Sequence, residues 1–278
     1  MELYNDTQSE ILLALARFKF LTTSQINVLV PKENAWLRKQ IMDLYTRSKP
    51  MLDRVSFGFH PKKGKLENVY YLTRYGQKLL CEVFDMNEEE IKMPVGTGSL
   101  FYKDYFHRKN TIDCQIGLFG AMANTLFEVE FFDTYFDKVG NNRRDGNLHA
   151  KNKINLSGDG YIIPDGVFVL RLQEFRFLYL LEMYDGRDTK RVMEQIRKHA
   201  EAIGLGTPSH KYGLQKSHRV LCVFEFESNK NAVLERMQAD KALAELTNHF
   251  LLKTLGSVQP HNFRDRWQNI LGELVGLV

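Results

Sequence analysis

Cysteine is scarce in this chain: Cys81, Cys114 and Cys222 are the three present in 278 residues. An odd, widely spaced set offers neither a disulfide framework nor a metal-binding spacing. The three read as reduced core residues of a cytoplasmic protein. Long apolar runs are lacking as well. No stretch approaches the ~18–20 residues of a membrane span, and Met1-Glu-Leu-Tyr-Asn-Asp6 lacks the basic-then-apolar profile of a secretory signal. No membrane partner is expected. With 44% hydrophobic and 26% charged residues, a disordered or fibrous chain is also excluded. The length suffices for one large domain or two ordinary ones, each with its own core.

Net charge is small, at +4, but it is unevenly placed. Residues 1–85 hold 13 of the 38 Lys/Arg and 9 of the 34 Asp/Glu, which leaves 25 of each in the remainder. The whole excess lies in the first third, which favours a polyanion-binding N-terminal module.

Residues 8–85 follow a helix, helix, helix, hairpin, helix order. Ile11, Leu12, Leu15, Ala16 and Phe18 recur at helical spacing. Leu21-Thr-Thr-Ser-Gln-Ile26 supplies N-cap residues for a second, short helix ending near Pro31. A third helix spans 34–48, with Trp36, Ile41, Leu44 and Tyr45 as expected core and Arg38, Lys39 and Arg47 as polar positions. Two extended runs, 51–59 and 66–72, flank a turn that carries Lys62, Lys63 and Lys65, and a helix follows around 77–84. This is the order of a winged helix-turn-helix. The third helix would enter the major groove, with Arg38 and Lys39 reaching base edges and the lysine-tipped turn on phosphates. The expected division is a DNA-binding domain at 1–87, a linker at 88–100 and an α/β domain at 101–278.

The second part predicts a long helix over 105–126, a strand at 128–132 and a polar loop at 138–160. A hairpin at 161–184 comes next, followed by a helix at 189–203, an apolar strand at 219–226 and a helix at 231–245. A strand at 249–254 and a short helix at 263–271, with Trp267 as core, close the chain. A mixed sheet flanked by helices is expected. The hairpin carries the most informative pair of residues. Asp165 follows Pro164, and Glu182 ends the next apolar run, so pairing of the two runs brings both acids to one place. Two such carboxylates can hold a divalent cation, Mg²⁺ or Mn²⁺, through hard oxygen ligands. A Glu-x-Lys triplet would complete a nuclease signature, but the third position is Tyr184. Pro-Asp-Gly is equally a good turn sequence, and a strand-end glutamate is commonly just solvated.

Leu-Thr-Thr-Ser-Gln-Ile and Val69-Tyr-Tyr-Leu-Thr-Arg-Tyr-Gly76 resemble the winged-helix half of the replication-relaxation family. His107 through Asp113, Pro164-Asp-Gly-Val-Phe-Val-Leu170 and Leu180-Leu-Glu-Met-Tyr-Asp-Gly-Arg-Asp-Thr189 resemble its second half. That family includes relaxases of the MobC type and related plasmid mobilisation and replication proteins. Its catalytic half is similar to restriction-endonuclease-like PD-(D/E)xK folds. The resemblance implies metal binding by Asp165 and Glu182, and a cleft lined by His107 and Asp113, with Glu130 as a further candidate. The missing lysine could come from Lys190 or Lys198 on the following helix. Gln195 with His199 resembles the Gln-x-x-x-Tyr helix of some of these nucleases, with His in place of Tyr. Tyr184 is either a packing residue or, with an activated phenol, a covalent nucleophile. His149 and His210 receive no role.

The implied activity is metal-dependent, site-specific nicking of double-stranded DNA at an origin of transfer or replication. Other mobilisation or replication proteins would be further partners. The alternative is a non-catalytic accessory protein that uses a degenerate nuclease fold for DNA clamping or homodimerisation.

Overall fold

The computed structural model describes residues 4–95, 104–140 and 148–277. It divides into two compact units, Met1–Ile112 and Asp113–Val278. Lys92, within the expected linker, belongs to the first unit, where its N donates to Ala16 O at 2.8 Å.

The first unit opens with α1 (Asp6–Phe18), β1 (Leu21–Thr22), α2 (Thr23–Leu29) and α3 (Asn34–Thr46). It continues through β2 (Leu52–Val55), β3 (Phe59–His60), β4 (Gly64–Lys65), β5 (Val69–Leu72) and α4 (Arg74–Phe84). Local chemistry sets these boundaries. Thr22 caps α2 in a reciprocal capping box, with Gln25 N donating to Thr22 Oγ1 and Thr22 N donating to Gln25 Oε1. Thr73 caps α4 through Gly76 N. The strands form an antiparallel sheet in the order β1-β5-β2, and β3 pairs with β4 as a separate ribbon. Ile11, Leu12, Leu15, Ile26, Leu37 and Leu44 are fully buried. Trp36 is not core. It is 44% exposed and lies beneath the Lys39 ammonium at 5.8 Å, because Leu37 and Ile41 occupy the inward stripe of α3.

In the second unit a seven-stranded mixed sheet runs β16-β15-β14-β13-β12-β11-β6. Its strands are β6 (Glu128–Thr134), β11 (Gly166–Leu172), β12 (Phe175–Tyr184), β13 (Arg219–Phe224), β14 (Phe250–Thr254), β15 (Trp267–Gln268) and β16 (Leu274–Val275). The β12-β13-β14 pairings are parallel and the others antiparallel. The near-continuous apolar sequence of β13 follows from its central place, covered on both faces. One face packs Phe168, Leu181, Met183 and Leu221 with Cys114, Leu118 and Met122 of α5 (Tyr105–Met122). On the other, Tyr184, Cys222 and Phe224 pack with Val192 and Ile196 of α6 (Thr189–Leu205) and Val233 of α8 (Glu227–Ala239). Between these helices lies the short α7 (Thr207–Lys211), and α9 (Lys241–Ala244) follows α8.

Three expectations change here. The helix expected at 231–245 starts earlier and breaks at Asp240, where the backbone is extended. Residues 263–271 form no helix. Trp267 Nε1 donates to Phe263 O, and β15 instead extends the sheet through the Leu252↔Gln268 pair. The polar stretch 138–160 contains the small ribbons β7 (Lys138–Val139) with β8 (His149–Ala150) and β9 (Ile154–Asn155) with β10 (Tyr161–Ile162); residues 141–147 lie outside the described residues. No helix among the described residues is long and apolar enough to cross a membrane.

Candidate functional site

Asp165 stands one residue before β11, and Glu182 lies within β12. Because Gly166 pairs with Leu181, the two acids occupy the next register positions. Asp165 Oδ2 accepts a hydrogen bond from Met183 N at 2.7 Å, which fixes the turn against β12. Gly166 is required there, since a Cβ would sit 2.8 Å from the Phe132 ring. Both acids are mostly enclosed, Asp165 at 8% and Glu182 at 5% exposure.

Glu182 meets α6. His199 Nε2 lies 2.7 Å from Glu182 Oε1, so the imidazole and the carboxyl group share one buried hydrogen bond. His199 Nδ1 has no hydrogen-bond partner among the described residues, nor has either ring nitrogen of His218. Burial first, then His199 and His249, hold His218 down to about 3, so it stays neutral. Lys198 and Lys190 are solvent-exposed positions of α6 and make no contact with the pair.

Tyr184 is 1% exposed and packs at a 41° tilt against Phe224, with ring centroids 5.0 Å apart. Burial, then the charges of Cys222, Glu182 and Asp165, push its phenol well above the usual value. A sealed, fully protonated phenol cannot attack a phosphate, so the nucleophile assignment is corrected to packing. Burial also raises Tyr179 to about 12 and raises Tyr212. Unfolded tyrosines ionise near ~10. These three residues therefore contribute stability that is full below about pH 10 and is lost as pH rises through the raised folded values. We expect the unfolding free energy, measured by denaturant titration, to fall between about pH 10 and about pH 12. A flat profile over that window would contradict the burial of the three rings.

Burial, followed by the charges of Asp113, Asp165 and Asp185, pushes the Cys114 thiol well up. His107 belongs to the first unit and Asp113 to the second. Glu130 is engaged elsewhere, in a bidentate ion pair with Arg176 at 2.7 and 2.8 Å. Among the described residues, no three His, Cys, Asp or Glu side chains form a group that could hold a metal ion. Asp165 and Glu182 supply hard oxygens of the kind Mg²⁺ accepts, and Mg²⁺ commonly uses only one or two carboxylates, filling its octahedron with water and substrate phosphate. The donor set fits.

The basic residues of the first unit separate into two groups. Arg38 and Lys65 line one cleft of about 460 Å³ with Arg54, Glu67 and Tyr70. Arg54 escaped the sequence reading; its guanidinium stacks 4.7 Å from the Tyr45 ring. Lys39 and Lys62 are exposed. Lys63 is not on a free-swinging turn: its ammonium sits 4.1 Å from the Phe106 ring, and His60 Nδ1 accepts from both Lys62 N and Lys63 N. Arg47 lines a different pocket with Tyr4, Lys49 and Tyr75, and pairs with Asp43 at 2.6 Å. Arg47, a DNA-binding candidate by its place on the third helix, thus lies apart from the Arg38 cleft.

Comparison of the chain with protein-family models, with curated proteins and with solved structures gives no match.

Proposed function

We propose that this chain is a DNA-binding protein of plasmid or mobile-element processing whose second unit nicks DNA in a metal-dependent, relaxase-like reaction. The observation that carries this reading is the register of the β11–β12 hairpin, which sets Asp165 and Glu182 side by side with Asp165 clamped to Met183 N. In this reading the first unit is a winged helix-turn-helix. Its α3 presents Arg38 and Lys39 to the major groove, while Arg54 and Lys65 contact phosphate from the adjoining cleft. The second unit is a restriction-endonuclease-like domain, and Asp165 and Glu182 would hold Mg²⁺ or Mn²⁺.

When bound, such an ion lowers the pKa of a coordinated water and neutralises charge developing on the phosphate. The chain's own residues orient the site. Met183 N fixes one Asp165 oxygen, and His199 fixes one Glu182 oxygen.

A non-catalytic clamp is the second reading, supported by one specific observation. The position that a nuclease lysine would fill holds the sealed ring of Tyr184, and Lys190 and Lys198 lie out in solvent. The test is nicking of supercoiled DNA bearing the native origin, with Mg²⁺ or Mn²⁺. Asp165→Asn should slow nicking at least about hundredfold, whereas Tyr184→Phe should leave it unchanged. Tight binding without nicked circles under either metal would establish the clamp instead.

A further inference from the structure

The second unit has no net charge excess in its sequence, yet its fold gathers three lysines into one groove. Lys151, Lys153, His149 and Asn155 from β8, β9 and the turn between them line, together with Lys211 of α7, a space of about 460 Å³. Lys211 Nζ donates to Lys151 O and Lys153 O, each at 2.7 Å, so its ammonium is fixed at the join of the two elements. Lys151 pairs with Asp133 at 2.9 Å, while Lys153 lies 4.3 Å from the ring centroid of Tyr161. Tyr161 is 48% exposed. The groove is also coupled to the acidic pair. Asn152, wholly buried between the two lysines, donates from Nδ2 to Pro164 O at 2.6 Å, immediately before Asp165.

We propose that this groove binds single-stranded DNA. Three ammonium groups, offset by one carboxylate, suit a phosphodiester backbone. The exposed ring of Tyr161 beside Lys153 suits stacking on an unpaired base, a surface that duplex DNA does not offer. The proposal rests on the DNA-processing reading for its partner but on separate residues for its site.

The full chain would be titrated against fluorescent single-stranded and duplex oligonucleotides at stepped salt concentrations. Lys151→Ala/Lys153→Ala should weaken single-strand binding about tenfold and reduce the slope of log affinity against log salt by about 1.4, as expected for two lost phosphate contacts. Tyr161→Ala should weaken single-strand binding with the slope unchanged. Because Lys151 neutralises the buried Asp133, Lys153→Ala alone and Tyr161→Ala carry the test if the double variant melts early. Unchanged single-strand affinity and slope would overturn the proposal, as would equal loss on duplex and single strand.

A Lys62→Ala/Lys63→Ala/Lys65→Ala variant separates the two ideas. If it leaves duplex binding intact while the groove variants act, the winged-helix reading falls and the groove stands. Duplex binding that depends on the 62–65 lysines, with groove variants silent, gives the reverse. A chain that binds neither oligonucleotide overturns both.

Discussion

His199→Ala should lower the unfolding free energy by about 1–3 kcal/mol, the cost of leaving a buried polar group without its hydrogen-bond partner. His199 is 1% exposed and Glu182 5%, with 2.7 Å between Nε2 and Oε1. Glu182 would lose its imidazole while water remains excluded from β12 and α6. Glu182→Gln behaves differently. Its amide keeps a hydrogen bond with His199 Nε2, so the loss should stay within about 1.5 kcal/mol, while nicking disappears with the carboxylate. Chemical denaturation followed by circular dichroism measures both. A His199→Ala cost below about 1 kcal/mol would mean that water solvates the pair freely.

Gly117→Ala should cost about 2 kcal/mol net. Alanine is the better helix former by about 1 kcal/mol, yet here the added Cβ would lie 2.2 Å from Val258 O and 3.0 Å from the Phe263 ring. A backbone carbonyl cannot swing aside, so α5 or the 258–263 segment must move, an overpacking cost near the top of the usual range. Gly204, near the end of α6, is the control. A Cβ there meets nothing within 4 Å, so Gly204→Ala should stabilise by up to about 1 kcal/mol. Equal effects at the two glycines, read from denaturation midpoints, would refute the close approach of α5 to Val258.

The elements that were legible share a physical character. Thr22 and Thr73 announce their helices because a cap acts within three residues of itself. The β11–β12 hairpin is readable because its two apolar runs are joined by a short turn, which leaves one economical pairing. Misread elements depend on distant partners. The 263–271 stretch has helical spacing at Phe263 and Trp267, but pairing with β14 offers the backbone an alternative that no local pattern reveals. Trp36 is apolar enough for a core, yet the inward face of α3 is already filled.

For the candidate site the same division holds. The sequence alone determined that two carboxylates, Asp165 and Glu182, terminate adjoining apolar runs, and that the first third carries the positive excess. Only the tertiary structure decided what surrounds them. It set His199, 17 residues away, onto Glu182, enclosed Tyr184 and left Lys190 and Lys198 in water. It also joined Lys211 to Lys151 across 60 residues, concentrating charge in a segment whose sum is zero. Caps, turns and periodicity are fixed by neighbours in the chain. Burial and ion pairing are fixed by neighbours in space, which a linear order of residues does not contain.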